Sequence, residues 1–167
     1  VVPDVVGSYF GLPVYSTTVA PYDLAHPGGN NFSDGMGTNF SSKLVLLENG
    51  FSNQWGTSNH TEEGVDSIME QFYGIDRYVK FDPLPYDGIH HIDMHMKLLN
   101  ETTLLVGEYP EGVADRAQIE TNLQYLLDNF TTPFGTPYRV VRVPMPPKNG
   151  LYPSLGAPLR TYVNSFI

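Results

Sequence analysis

The stretch Tyr86-Asp87-Gly88-Ile89-His90-His91-Ile92-Asp93-Met94-His95-Met96-Lys97-Leu98-Leu99 decides how the chain is read. From Ile89 onward it alternates. Ile92, Met94, Met96 and Leu98 share one parity, and His91, Asp93, His95 and Lys97 share the other. Successive side chains of a strand point to opposite faces, so the pattern predicts a half-buried strand with an apolar back. Its front would carry imidazole, carboxylate, imidazole and ammonium in a row. Two positions apart on one face, His91 and Asp93 would stand about 7 Å apart, close enough to share one small ligand. His91, Asp93 and His95 would also present three metal ligands on that face. No cysteine or further histidine cluster completes a metal site, because His26, His60 and His90 are scattered, and no metal or cofactor is expected.

Outward from this stretch the order of elements recurs. Upstream, Val1 to Ala20 is rich in Val, Tyr and Thr and reads as strands. Thr38 to Asn49 reads as a strand ending in Leu44-Val45-Leu46-Leu47. Thr61 to Tyr73 reads as a helix, with Val65, Ile68, Met69 and Phe72 at i, i+3, i+4 and i+7 and a stop at Gly74. Tyr78 to Phe81 follows as a strand. Downstream come a strand at Thr103 to Val106 and a helix from Asp115 to Phe130, opened by the capping-box spacing of Asp115 and Gln118. A strand from Tyr138 to Val143 closes this part. Tyr78 and Tyr138, Phe72 and Phe130, and Asp34 and Asp93 pair at offsets of about 59 residues, a period that points to a radial or stacked array. The units expected are 28–85 and 87–146, with a third opening near 159. A blade without neighbours leaves apolar faces bare, so the expected partners include further segments of the same propeller or another copy.

The 167 residues suffice for one domain with a real core. Gly 16 and Pro 14 make up about 18% of the chain, above the usual ~12%, which predicts short elements with many turns. A net charge of −9 argues against nucleic acid or an anionic membrane as partner and suits a cationic ligand. No apolar run has the length of a membrane span, and no signal peptide is seen at Val1. The absent initiator Met is expected of a processed or trimmed chain. Cysteine is absent, which excludes a disulfide framework and any thiol nucleophile carried by these residues. Asn-x-Ser/Thr sequons begin at Asn31, Asn39, Asn59, Asn100 and Asn129. With 11 Asn and 22 Ser or Thr in 167 residues, chance gives about 1.4 such sequons. The excess points to a secreted, extracellular glycoprotein.

Gly28-Gly29-Asn30 followed by Asp34-Gly35-Met36-Gly37-Thr38, then His91-Ile92-Asp93, then Tyr162-Val163-Asn164-Ser165, together resemble the Porphyromonas-type peptidyl-arginine deiminases and their relatives, the agmatine deiminases. The resemblance runs over essentially the whole chain, which matches about the middle half of such a protein. It implies the pentein fold, a five-fold pseudosymmetric α/β propeller, of which this chain would carry about two ββαβ modules plus flanking strands. It also implies guanidine hydrolysis: a cysteine thiolate attacks the guanidinium carbon, ammonia leaves, and water releases a ureido product. His91 would be the general acid and base. Asp93 would pair with the guanidinium nitrogens of a small molecule or peptide, since a planar guanidinium suits a carboxylate bidentately. Gly28, Gly29, Asn30, Asp34 and Asn164 would line the substrate pocket.

The chain departs from the family pattern at three points. It has no cysteine and no Arg-Asp motif, and Pro27 stands where agmatine deiminases carry Glu. The last difference leans away from agmatine, towards peptidyl-arginine or an altered specificity. These residues alone are expected to be catalytically dead. A second class of reading is a non-catalytic secreted glycoprotein that keeps the fold for structure or binding.

Overall fold

The structure is a computed structural model describing residues 2–51, 53–154 and 160–165. Two three-stranded sheets carry the chain. In the first, β1 (Phe32–Ser33) pairs antiparallel with β2 (Thr38–Ser42), which pairs parallel with β3 (Arg77–Phe81). The second repeats that order with β4 (Met96–Asn100), β5 (Thr103–Glu108) and β6 (Arg139–Pro144). A parallel pair needs a crossover. It is supplied by α2 (Leu44–Asn49) and α3 (Glu62–Tyr73) in the first half, and by α4 (Ala114–Asn129) in the second. β1 and β4 begin 64 positions apart, β2 and β5 65, and β3 and β6 62. The pairing of Asp34 with Asp93 does not follow this correspondence, because Asp34 lies in the β1–β2 turn whereas Asp93 precedes β4.

The helices form for legible reasons. Thr61 caps α3, its hydroxyl oxygen accepting from the Gly64 N–H at 3.2 Å. Gly74 ends the helix in the left-handed conformation, φ 67°, with its N–H on the Glu70 carbonyl. Val65, Ile68 and Met69 are buried with Leu24, Val45 and Ile75. On α4, Ile119, Leu123 and Leu126 are buried in a second cluster that takes Phe40, Phe81, Met96 and Leu104 from the two sheets and Tyr138 just before β6. Phe40 joins the halves: its ring stacks on Phe32 and Phe81 and meets Tyr138 edge-on at 6.2 Å.

Several expectations fail. Val2–Phe10 is a helix, α1, although its stripe Val2, Val5, Val6 and Tyr9 stays 46–82% exposed. That stripe has helical spacing, which the β propensity of Val and Tyr concealed. β2 stops at Ser42, and the leucines beyond it, good helix formers, wind into α2. Asp115 does not cap α4. It is wholly buried and turns away to the Tyr86 N–H at 2.9 Å. The expected third-unit strand is not formed over residues 160–165, which run in bends. Residues 155–159 and 166–167 lie outside the described residues. Among the described residues no helix is long and apolar enough to cross a membrane.

Candidate functional site

His91-Ile92-Asp93 is not part of a strand. Ile92–Met94 is a 3₁₀ turn, with His91 just before it and His95 just after, and β4 begins at Met96. The turn breaks the alternation. Ile92, His95 and Met96 are all buried, so the expected row of four polar residues on one face does not exist. His95 is wholly enclosed, neither ring nitrogen has a hydrogen-bond partner among the described residues, and burial pushes its imidazole down to about 4. A three-residue metal site is thereby lost: among the described residues no group of three His, Cys, Asp or Glu could hold an ion.

His91 and Asp93 nevertheless converge, because a second 3₁₀ turn, Gly28–Asn30, packs on theirs. A Cβ placed on Gly29 would stand 2.6 Å from His91 Nδ1 and 3.0 Å from Asp93 Oδ2, so the two groups lie under about 6 Å apart. Only glycine leaves room for both side chains there. Gly28 meets nothing within 4 Å, so the close approach belongs to Gly29 alone.

Asn30 locks the two turns together. It is fully buried, and its Oδ1 accepts from Ser42 N–H at 2.8 Å and Ile92 N–H at 3.1 Å, while Nδ2 donates to the Ser42 carbonyl. Its side chain is thus committed to the scaffold rather than to a pocket. Ser42 also donates its hydroxyl to the His90 carbonyl, and His90 holds a left-handed φ of 59°. The end of β2 therefore fixes the backbone on both sides of His91.

Asp93 is half-buried, and its Oδ1 is buried without a hydrogen-bond partner. Burial raises its carboxyl above the usual carboxylate range. His91 and Lys97 pull it back and Asp87 adds to the rise. Asp87 and Asp115, both buried, stand behind the turn. Each has one oxygen on a backbone N–H, of Ile89 and Tyr86 respectively, and one without a partner. Burial, then Asp87, raises Asp115 too. A half-buried carboxylate with an unpaired oxygen, backed by more carboxylate, suits a cation with several N–H donors.

The other expected residues are placed unequally. Asn164 touches the same 3₁₀ turn, with Nδ2 3.6 Å from Met94 Sδ. Its segment is held by buried Val163 and by Lys97, which donates to the Ser165 carbonyl. Asp34 does not reach it. Its Oδ1 accepts from Met36 and Thr38 N–H in the β1–β2 turn, and Thr38 and Ser42 lie four positions apart on the strand, about 13 Å. The turn role of Asp34 is the one realised. A cleft of about 280 Å³ lined by Lys43, Glu62, Lys80, Asp82 and Asn122 holds none of these residues. Sequence reading missed Ser42, which nothing marks out, and Asp115, whose N-terminal helical position reads equally well as a cap.

The family of Porphyromonas-type peptidyl-arginine deiminases matches residues 6–167. The chain belongs to this family. Solved structures agree in fold. A Porphyromonas gingivalis protein assigned as an arginine deiminase has a TM-score of 0.68 and 22% identity, over 84% of this chain and 40% of that one. The agmatine deiminase of Enterococcus faecalis gives 0.69 and 15%, over 96% and 46%. The C. jejuni agmatine deiminase with substrate bound gives 0.63 and 15%, over 96% and 44%. The chain thus spans less than half the length of these proteins. Comparison with curated protein sequences finds no match.

Proposed function

We propose that the chain is the central part of a guanidine-hydrolysing deiminase, about two modules of a pentein propeller, with the His91–Asp93 turn as its acid–base and guanidinium-binding half. One observation carries this reading. Two turns pack so closely at Gly29 that an imidazole and a carboxylate with an unpaired oxygen converge, in a chain of a deiminase family. Asp93 accepts two guanidinium N–H groups and fixes the plane of the substrate. A thiolate from outside these 167 residues adds to the guanidinium carbon, and His91 protonates the departing ammonia. His91 then takes a proton from water, which adds to the carbon as the C–S bond breaks. The net change is guanidinium plus water to a ureido group plus ammonium. Asn164, whose Nδ2 lies 3.6 Å from Met94 Sδ, would contribute from the neighbouring segment. Pro27 before Gly28-Gly29 favours an arginine side chain in a peptide over agmatine.

Titration with agmatine, N-acetyl-arginine amide and putrescine, followed by NMR, tests the reading. The two guanidinium compounds are expected to shift the signals of residues 91–94, and putrescine, a diamine without a guanidinium, to shift them at least tenfold more weakly. Asp93→Asn is expected to abolish the difference. Equal response to all three would remove the proposal.

A further inference from the structure

The sequon excess is not absorbed by the deiminase reading, and the structure sorts the five sites sharply. We infer that the chain is N-glycosylated at Asn100 and Asn129, on the end of the second module remote from the His91–Asp93 turn, and is unglycosylated at Asn39.

Asn100-Glu101-Thr102 forms the tip of the β4–β5 hairpin, and Asn100 is exposed. Within that sequon Asn100 Oδ1 accepts from both the Thr102 N–H and the Thr102 hydroxyl, each at 3.0 Å. The hydroxyl that defines a sequon is therefore already held against the acceptor carboxamide, in a turn that enters an enzyme cleft without unfolding the sheet. The Asn100 Nδ2, the atom to be glycosylated, has no protein partner among the described residues. Asn129 is the last residue of α4 and exposed, with Nδ2 bound only to the Tyr125 carbonyl of its own helix at 2.8 Å. Helix ends fray, and Thr131 follows in the loop.

Asn39 is the opposite case. It is 1% exposed in the middle strand of the first sheet, paired with both β1 and β3. A glycan there would have to pass through the sheet packing. Asn31 is half-buried, its Oδ1 enclosed without a partner. Asn59 is exposed, but the hydroxyl of its Thr61 accepts from Gly64 N–H in the α3 cap.

The two favoured sites share an end of the molecule. Asn100 pairs with Thr103, Thr103 with Arg139, and Asn129 leads through a single loop to Arg139. The opposite end of β4, Met96, adjoins the 3₁₀ turn of the candidate site, about 13 Å away along the strand. Glycans at Asn100 and Asn129 therefore extend away from the His91–Asp93 turn. In each transfer a bond forms from Nδ2 to the anomeric carbon of a lipid-pyrophosphate-linked oligosaccharide. The bond from that carbon to the pyrophosphate oxygen breaks, the lipid pyrophosphate leaves, and the amide proton goes to the transferase.

Peptide mapping after amidase release of N-glycans in ¹⁸O-water reads every occupied site by its isotope mark. It is applied to the chain purified from its natural source and to the chain secreted by a eukaryotic host. Marks are expected at Asn100 and Asn129 in both, with none at Asn39. Thr102→Val is expected to lose the Asn100 mark and keep that at Asn129, which separates loss of the sequon from loss of secretion. An unmarked Asn100 or Asn129 in the natural material, or a marked Asn39 in folded protein, would overturn the inference. None of these outcomes depends on deiminase activity.

Discussion

His95 makes the fold sensitive to acid, as the buried His26 does, and the size of its effect follows from where the residue sits. The imidazole is 1% exposed, with neither ring nitrogen hydrogen-bonded among the described residues, and burial pushes it from 6.5 down to about 4. A histidine whose folded pKa is depressed stays neutral in the native state while the unfolded chain takes up the proton. Stability is therefore undiminished above pH 6.5 and falls as the pH drops from there towards 4. At 1.36 kcal/mol per pKa unit, the loss approaches about 3 kcal/mol at pH 4 and below, and is about 2–3 kcal/mol by pH 4.5. With a urea m-value of about 2 kcal/mol per molar, that moves the unfolding midpoint by about 1.2 M. Urea titrations of the wild type and of His95→Leu at pH 7.5 and 4.5 isolate this contribution. Asp93 and Asp115, whose raised carboxyls contribute with the opposite sign, are common to both proteins and cancel in the comparison. The variant is expected within about 1 kcal/mol of the wild type at pH 7.5, since no hydrogen bond is lost, and above it by about 2 kcal/mol at pH 4.5. Parallel pH dependences in the two proteins would refute the reasoning.

Asn30→Ala removes three buried hydrogen bonds and leaves the Ser42 and Ile92 N–H groups unpaired. A loss of about 2–4 kcal/mol should appear in urea denaturation, with faster amide exchange at Ile92. Gly29→Ala should leave the circular dichroism unchanged but displace His91 and Asp93, whose atoms lie 2.6 and 3.0 Å from the new methyl. Agmatine-induced shifts at residues 91–94 are then expected to weaken on the order of a hundredfold. Phe40→Ala opens a cavity where the two sheets meet and should cost about 3–5 kcal/mol, read by thermal unfolding. An unchanged melting temperature would deny the junction its part in the core.

Where side-chain periodicity was long and strong, the sequence spoke clearly. The α3 stripe, its Thr61 start and its Gly74 stop are all legible, as are β3, β5 and β6. Where an apolar run was short, as at Leu44–Leu47, strand and helix could not be told apart, and α2 was misread. The strand expected over residues 89–99 is not what brings the candidate residues together. His91 and Asp93 do converge, but through a 3₁₀ turn pressed against Gly29 rather than along a strand, and the same turn carries His95 into the core. No local pattern reveals this, because the turn is held by Asn30 across 62 positions of chain. For the same reason Asn30 and Asp34, alike as short polar residues beside glycines, separate into a brace between turns and a hairpin cap.

Crystals of the chain grown with agmatine test the central claim most directly. The guanidinium is expected with two nitrogens 2.7–2.9 Å from the Asp93 carboxylate oxygens, its carbon beside the His91 ring and its plane over Gly29. Density for the guanidinium elsewhere, or an Asp93 side chain turned out into solvent away from Gly29, would contradict it.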